Sequence, residues 1–188
     1  EKIKNRMIKL TTQQLAQIFN ASLIGDGQVV VENINTDTRK ALSNSLFFAL
    51  KGEHFDAHQY LEQAVEQGAT ALVVQYPNTE IATPQLVVAD TRLALGQLAK
   101  WLREKINPRT VAMTGSSGKT TVKEMTASIL QQTAGNPEAV LFTNGNFNND
   151  IGVPLTLLRL TEQHKFAVIE LGANHQGEID YTTHLAQP

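Results

Sequence analysis

The segment AMTGSSGKTTVKEM, residues 112–125, constrains the fold more than any other part of the sequence. The short β-branched run TVAMT leads into it, and a helix-like pattern from Lys119 to about Gln132 continues from it. Glycines in the intervening loop let backbone N–H groups turn inward around an anion, and the start of a helix adds a partial positive charge. This order of strand, loop and helix predicts a phosphate site in an α/β domain.

The loop also supplies side chains that suit a nucleotide phosphate. Lys119 would provide a cation for the terminal phosphates, and the Thr120 hydroxyl could take one position on Mg²⁺. The general phosphate-loop pattern has a glycine where this sequence has Met113, so a Ser/Gly-rich turn that begins an ordinary helix is the alternative. The candidate residues for binding the nucleotide phosphates are Gly115, Ser116, Ser117, Gly118, Lys119, Thr120 and Thr121.

Glu170 ends a later apolar run, FAVIE, and is the candidate metal partner of the loop. In open parallel sheets, ligands gather at the carboxyl ends of the strands. We therefore expect the two strands to be neighbours, so that Thr120 and Glu170 hold one Mg²⁺ directly or through water. The alternative roles for Glu170 are a turn cap and an ion pair with a lysine.

The remaining pattern alternates strands with helices, which is typical of an α/β fold with parallel sheets. Thr11 and Gln14 form a capping-box pattern at the start of a first helix. We place a domain boundary near residues 84–108, which gives domains over 7–88 and 89–188. Further strands are predicted over 45–50, 70–74 and 85–90, and further helices over 58–68 and 91–105.

Composition and charge exclude several classes of function. A net charge of −2 gives no electrostatic footprint for nucleic acid. The absence of cysteine excludes disulfides and cysteine-ligated metals, and it fits a reducing compartment such as the cytoplasm. No apolar run approaches the length of a membrane span, and residues 1–10 lack the apolar core of a signal peptide. Met7 is a candidate start, with residues 1–6 an added segment.

The five histidines show no spacing typical of a zinc site. His164 and His184 have no partners in the sequence pattern, and we expect both to be structural.

Three segments in order, TGSSGKTTVKE, TNGNFNNDIGVPLTLL and ELGANHQGEI, resemble the central ATPase domain of the Mur ligases. The stretch from NINTDTRK through LFFALKGEHFDAH to GATALVV resembles the uridine-nucleotide domain that part of this family shares. The resemblance runs from about Met7 onward. It implies a small N-terminal α/β uridine-nucleotide-binding domain, followed by the first part of a P-loop-type parallel-sheet ATPase domain.

The resemblance also implies an activity. The expected enzyme is an ATP-dependent carbon–nitrogen ligase of peptidoglycan precursor synthesis, with ATP and Mg²⁺ as cofactors. It would phosphorylate the terminal carboxylate of UDP-N-acetylmuramoyl-tripeptide and join the acyl phosphate to the amine of D-alanyl-D-alanine. Family members continue with the rest of the central domain and a closing C-terminal domain. We therefore expect an N-terminal fragment that cannot complete the reaction alone. We also expect a monomer.

In the first domain, the resemblance places the uridine diphosphate against TDTR and KGEHFDAH. Thr36, Thr38 and Arg39 would hold pyrophosphate or ribose. Gly52 would let the backbone approach the ligand, and Glu53, His54 and Phe55 would line the uracil pocket. The alternatives are a capped turn with a local ion pair at residues 37–39 and a core position for Phe55.

In the second domain, the resemblance makes Lys119, Glu170 and His175 the catalytic candidates, with His175 near a second metal or the substrate carboxylate. An ordinary surface position is the alternative for His175. The asparagine-rich segment would hold the muramyl substrate and the water shell of the metal, and an asparagine-rich turn is its alternative. Its candidate residues are Asn144, Asn146, Asn148 and Asn149.

Other functions stay open. A family member that adds a single amino acid usually carries a T-T-P segment where this chain has TNGNFNND. A ligase similar to folylpolyglutamate synthase should lack the DTR and FFALKG segments. A switch GTPase or another nucleotide-binding module without ligase activity would need a guanine-reading N/T-K-x-D segment, which the sequence does not contain.

Overall fold

The computed structural model describes residues 9–188, so Met7 and the residues before it lie outside the described part. The fold is α/β with mostly parallel sheets, as predicted. The chain divides into two compact units, the first ending at Gln97 and the second running from Leu98 to Pro188. The division falls within one helix, α3 (Thr91–Ile106). No helix within residues 9–188 is both long and apolar enough to cross a membrane.

The first unit contains a five-stranded sheet with the order β2-β7-β6-β5-β4 and a separate antiparallel pair, β1-β3. Only the β2-β7 pairing in the larger sheet is antiparallel. The strands are β1 (Leu10–Thr11), β2 (Ser22–Ile24), β3 (Val30–Val31), β4 (Asn33–Asn35), β5 (Ser45–Phe48), β6 (Ala69–Val74) and β7 (Gln85–Val87). The helices are α1 (Thr12–Phe19) and α2 (Leu61–Glu66).

The predicted strands β5 and β6 form the centre of this sheet. Every residue of β5 is buried, because a parallel central strand is covered on both faces. Thr11 caps α1 through the predicted capping box with Gln14. The helix expected over 58–68 differs, because a 3-10 turn over Ala57–Tyr60 precedes a shorter α2. The short strands β1 to β4 were not predicted, since none has enough residues to show a periodic pattern.

The second unit is built on a three-stranded parallel sheet with the order β8-β10-β9. Its strands are β8 (Arg109–Met113), β9 (Val140–Phe142) and β10 (Phe166–Glu170). Its other helices are α4 (Lys119–Ala134), α5 (Gly152–Leu157) and α6 (Glu178–Ala186). The inner face of α4 packs Ala127 against Val140 and Val168 of the sheet. The predicted bounds of β8, β10 and α4 agree with the structure to within two residues.

A hydrogen-bonded network holds the segment between β5 and α2. Asp56 accepts from the His58 ring at 2.6 Å and from the Tyr76 hydroxyl, while the other ring nitrogen of His58 accepts the Gln75 N–H at 2.9 Å. Burial alone would raise the pKa of Asp56. The hydrogen bonds from Tyr76 and His58 outweigh burial and lower this pKa from 3.8 to about 2. The network therefore ties the turn at Ala57 to the end of β6.

Replacing Asp56 with asparagine is expected to lower the free energy of unfolding of the first unit by about 1–3 kcal/mol at neutral pH, because His58 and Tyr76 lose their charged acceptor. A lowered pKa means that Asp56 stabilises the fold fully above 3.8 and progressively less as the pH falls toward about 2. Urea unfolding of both proteins across this range should show the difference shrinking. Glu62→Gln, an exposed change on α2, is the control, and a difference independent of pH would contradict the assignment.

Candidate functional site

A cavity of about 580 Å³ lies in the first unit, at the ends of β4 and β5. These two strands run parallel, so their carboxyl ends share one edge of the sheet. The predicted residues Thr36, Thr38, Arg39 and Phe55 all line this cavity. Its other lining residues are Asp37, Phe47, Ala57, Tyr60 and Gln63. Gly52, Glu53 and His54 do not line it and are exposed between Lys51 and Asp56.

Asp37 and Arg39 form the local ion pair that the sequence left open as an alternative. The Arg39 Nε donates to Asp37 Oδ1 at 2.9 Å and its Nη2 to Oδ2 at 3.0 Å. These side-chain bonds, with the Arg39 backbone N–H, lower the pKa of Asp37 to about 2. A guanidinium has five N–H donors, so donors remain on Arg39 for a further anion. The pair holds the exposed Arg39 head at the rim of the cavity.

Phe55 and Tyr60 give the cavity a flat aromatic surface. Their rings stack with centroids 5.5 Å apart and planes 10° from parallel. The two residues are 54% and 40% exposed, so Phe55 is not the core aromatic that the alternative required. Such a surface suits a planar heteroaromatic ring. Sequence analysis missed Tyr60 because it read as an ordinary residue of the predicted helix over 58–68.

The phosphate-loop candidate in the second unit is open and positively polarised. Gly115 and Gly118 have φ of +146° and +78°, which residues other than glycine rarely adopt. Residues 114–118 are exposed, and no side chain in the described part of the chain caps the start of α4 at Gly118. The first N–H groups of this 16-residue helix therefore lack a side-chain cap and are available to an anion. Lys119 bends back so that its ammonium donates to the Gly115 carbonyl.

Glu170 meets this loop as predicted. Strands β8 and β10 pair in parallel, with Glu170 opposite Met113, so the expected neighbouring of the two strands is confirmed. Thr120 Oγ1 donates to Glu170 Oε2 at 3.1 Å across fifty positions of sequence. The backbone N–H of Glu170 donates to Thr143 Oγ1 at 2.9 Å. The carboxylate is thus fixed at the base of the loop, and only 2% of the residue is exposed.

The asparagine-rich segment is partly a scaffold. Asn148 Nδ2 donates to Glu170 Oε1 at 2.9 Å, and the Asn148 carbonyl accepts the Gly172 N–H at 2.7 Å. Asn149 Oδ1 accepts the backbone N–H of Gly152 at 2.7 Å, at the start of α5. Asn144 and Asn146 are exposed. The turn alternative therefore describes Asn148 and Asn149, and ligand contacts by the four asparagines stay a prediction.

Three histidines form hydrogen bonds with residues other than Thr120 and Glu170. These histidines are His164, His175 and His184. His175 is exposed, and its backbone N–H donates to Glu178 at 3.3 Å. His164 is buried and its Nδ1 accepts the Thr161 N–H at 2.9 Å, while burial lowers its pKa. His184 is exposed, with Nδ1 2.7 Å from the Asp180 carbonyl oxygen. A catalytic role for His175 stays a prediction.

A hard cation fits the donor set at the loop. Across residues 9–188, no three His, Cys, Asp or Glu side chains gather as a metal cluster. The Thr120 hydroxyl, which keeps its lone pairs while donating to Glu170, and the carboxylate itself are oxygen donors. Mg²⁺ is usually held by one or two protein oxygens together with phosphates and waters. The pair therefore suits Mg²⁺ delivered with a nucleotide.

Lys123 is the residue of this site that sequence analysis missed. Its side chain is fully buried, and its Nζ lies 3.9 Å from Glu170 Oε2. The sequence did contain a signal for Lys123, because this residue follows Lys119 by four positions and so lies on the same side of α4.

Comparisons with known proteins point to one family. A model of the Mur ligase family, catalytic domain, matches residues 30–103, and a model of the Mur ligase middle domain matches residues 113–188. The UDP-N-acetylmuramoyl-tripeptide–D-alanyl-D-alanine ligase of Haemophilus influenzae is 81% identical over 97% of this chain and 40% of its own length. The ligase of the same name from Escherichia coli is 56% identical over 97% of this chain and 39% of its own length.

Solved structures give the same result. A crystal structure of MurF from Acinetobacter baumannii superposes with a TM-score of 0.89 at 48% identity, covering 97% of this chain and 40% of that protein. MurF ligase from Thermotoga maritima in complex with ADP gives a TM-score of 0.72 at 27% identity, covering 82% of this chain and 35% of that protein. The chain thus spans about 40% of the length of these curated relatives.

Gly172→Ala is expected to disrupt the hydrogen bond by which Asn148 holds Glu170. A Cβ at this position would lie 2.7–2.9 Å from the side-chain atoms of Asn148, so a shift of Asn148 would strain its hydrogen bond to Glu170. We expect a loss of about 1–3 kcal/mol in the free energy of unfolding of the second unit, measured by urea denaturation. Gly52→Ala is the control, because its Cβ would meet nothing closer than 3.9 Å. Equal stability of the two variants would show that the Asn148 contact is not required.

Proposed function

This chain belongs to the Mur ligase family, and we propose that it carries the uridine-nucleotide and phosphate-binding sites of an ATP-dependent ligase. The proposed reaction joins D-alanyl-D-alanine to UDP-N-acetylmuramoyl-tripeptide in peptidoglycan precursor synthesis. One observation carries the proposal: Thr120 and Glu170 are hydrogen-bonded beneath an open, uncapped phosphate loop. The 81% identity to the ligase of H. influenzae supports this choice of substrates.

We assign the two ends of the substrate to the two domains that the sequence predicted. Residues 7–88 would bind the uridine end in the 580 Å³ cavity, with the ring of the base on Phe55 and Tyr60. Arg39 and the hydroxyls of Thr36 and Thr38 would hold the pyrophosphate or ribose, and Gly52, Glu53 and His54 would act from the adjacent loop. Residues 89–188 would bind ATP at Gly115–Thr121 and the muramyl part at Asn144–Asn149. Sequence reasoning did not foresee the contribution of Tyr60.

The proposed chemistry is phosphoryl transfer between two anions, so neutralisation of charge and alignment dominate. The carboxylate oxygen of the tripeptide attacks the γ-phosphorus of ATP and ADP leaves. The amine of D-alanyl-D-alanine then attacks the acyl carbon, loses a proton and displaces inorganic phosphate. The loop N–H groups and Lys119 would hold the β- and γ-phosphates. A bound Mg²⁺ would supply further positive charge at those oxygens, held by Thr120 and Glu170, with His175 in reach of the substrate carboxylate.

The same proposal covers the setting of the enzyme. A cysteine-free chain suits the reducing cytoplasm, where we place the reaction, and we propose a monomer. A family member that adds a single amino acid is the nearest alternative. A ligase similar to folylpolyglutamate synthase and a nucleotide-binding module without ligase activity are less favoured, because neither accounts for the cavity lined by the DTR segment.

Titration of the chain with UDP-N-acetylmuramoyl-tripeptide by calorimetry is expected to show specific binding. Phe55→Ala should weaken it about five- to 150-fold, because stacking of a base on an aromatic ring contributes about 1–3 kcal/mol. Glu62→Gln, outside the cavity lining, should leave the affinity unchanged. Failure of the unaltered chain to bind this nucleotide, or equal affinity of the Phe55 variant, would count against the uridine site.

Lys119→Ala is expected to lower turnover by orders of magnitude in a ligase of the relatives' full length that carries this sequence, because the γ-phosphate loses its mobile cation. Thermal unfolding should be nearly unchanged, since residues 114–118 are exposed. Lys165→Ala, which removes an exposed lysine before β10, is the matched control. Near-normal activity of the Lys119 variant would overturn the phosphate-loop assignment.

A further inference from the structure

Lys123 is a buried cation that the proposed reaction does not use. No part of its side chain is exposed, and Nζ has no hydrogen-bond acceptor among residues 9–188. Glu124 Oε1 lies 3.1 Å from Nζ, but that contact lacks hydrogen-bond geometry and Glu124 is itself 57% exposed. Burying an ammonium in this way is costly. Its position therefore needs a compensating interaction.

Two carboxylates provide it: the mostly exposed Glu124 and the buried Glu170. The side chain of Glu170 is 3% exposed, and its oxygens accept hydrogen bonds from two neutral groups, Thr120 Oγ1 and Asn148 Nδ2. Neutral donors orient a carboxylate but leave its net charge in place. Lys123 Nζ, 3.9 Å from Oε2, supplies the opposite full charge. Attraction at this separation is several times stronger inside a protein than in water, because the effective dielectric constant is lower.

Lys119 and Lys123 are separated by one turn of α4, and their environments differ. Lys119 reaches the exposed loop and donates to the Gly115 carbonyl. Lys123 is enclosed between α4 and the sheet, at the Glu170 end of β10. The first lysine can therefore meet a ligand, whereas the second can act only on protein groups.

We infer that Lys123 is a positioning residue: it neutralises Glu170 and keeps the carboxylate against Thr120, and a divalent cation at Thr120 and Glu170 takes over that neutralisation. The inference rests on the proposed function, because it concerns the same site. Glu170 would thus have two counter-charges: the ammonium of Lys123 on α4 and the divalent cation that arrives with the nucleotide.

A double-mutant cycle on the 188-residue chain tests the pairing. Midpoint temperatures of unfolding are measured without divalent cations for the unaltered chain, Lys123→Met, Glu170→Gln and the double variant. We expect Lys123→Met to lower the midpoint and the added Glu170→Gln to recover part of that loss, because a neutral amide then replaces the buried carboxylate. Lys165→Met, with and without Glu170→Gln, is the control pair and should give additive shifts.

Additive effects at Lys123 would overturn the inference, because a lysine that merely fills space does not couple to the charge of Glu170. If Lys123→Met does not fold, recovery of a folded chain by Glu170→Gln supports the pairing. Failure of the double variant to fold, while Glu170→Gln alone folds, would overturn it.

A second measurement tests the exchange with the cation. The rise in midpoint on adding ADP with Mg²⁺ is compared with the rise on adding ADP alone, so that only the effect of the cation is counted. This difference should be several-fold larger in Lys123→Met than in the unaltered chain. An equal difference in the two proteins would overturn the exchange. Coupling in the cycle without any effect of ADP and Mg²⁺ on either protein would leave the Lys123–Glu170 pairing standing and would reject the proposed function instead.

Discussion

The parallel pairing of β8 with β10 determines where the chemical groups of the second unit lie. The register sets Glu170 opposite Met113, so the acidic end of one strand is level with the start of the candidate phosphate loop on the other. Side chains of a strand alternate between the two faces, and a slip of one residue would turn Glu170 to the opposite face of the sheet. The contact between Thr120 and Glu170 depends on this register.

Several groups near this strand pairing would each be energetically unfavourable alone. A buried carboxylate, a buried ammonium and a glycine in contact with an asparagine side chain occupy one small volume at the end of β10. Each reduces the cost of another, because Asn148 and Thr120 satisfy the oxygens of Glu170 while Lys123 balances its charge. Functional sites commonly retain such strained or costly arrangements.

The first unit follows the same rule with different chemistry. The carboxyl ends of β4 and β5 open onto the cavity, and the Asp56 network fixes the turn that carries Phe55 and Ala57 to its wall. Arg39 is held by Asp37 in a turn of its own. Hydrogen bonds between polar side chains thus fix the loops that line the cavity at this edge of the sheet.

The sequence by itself determined the local elements: the capping box at Thr11, the buried strands β5 and β6, the loop between β8 and α4, and the acidic end of β10. These depend on spacing and residue type within a few positions, which is information that a sequence carries directly. Only the tertiary structure decided that Asn148 holds Glu170, that Tyr60 stacks on Phe55 and that Lys123 is sealed beside a carboxylate. The Asn148 and Lys123 contacts join residues 22 and 47 positions from Glu170, and the stacking depends on a 3-10 turn where periodicity predicted a helix. Sequence periodicity records which face of an element is apolar, but not which distant side chain that face will meet.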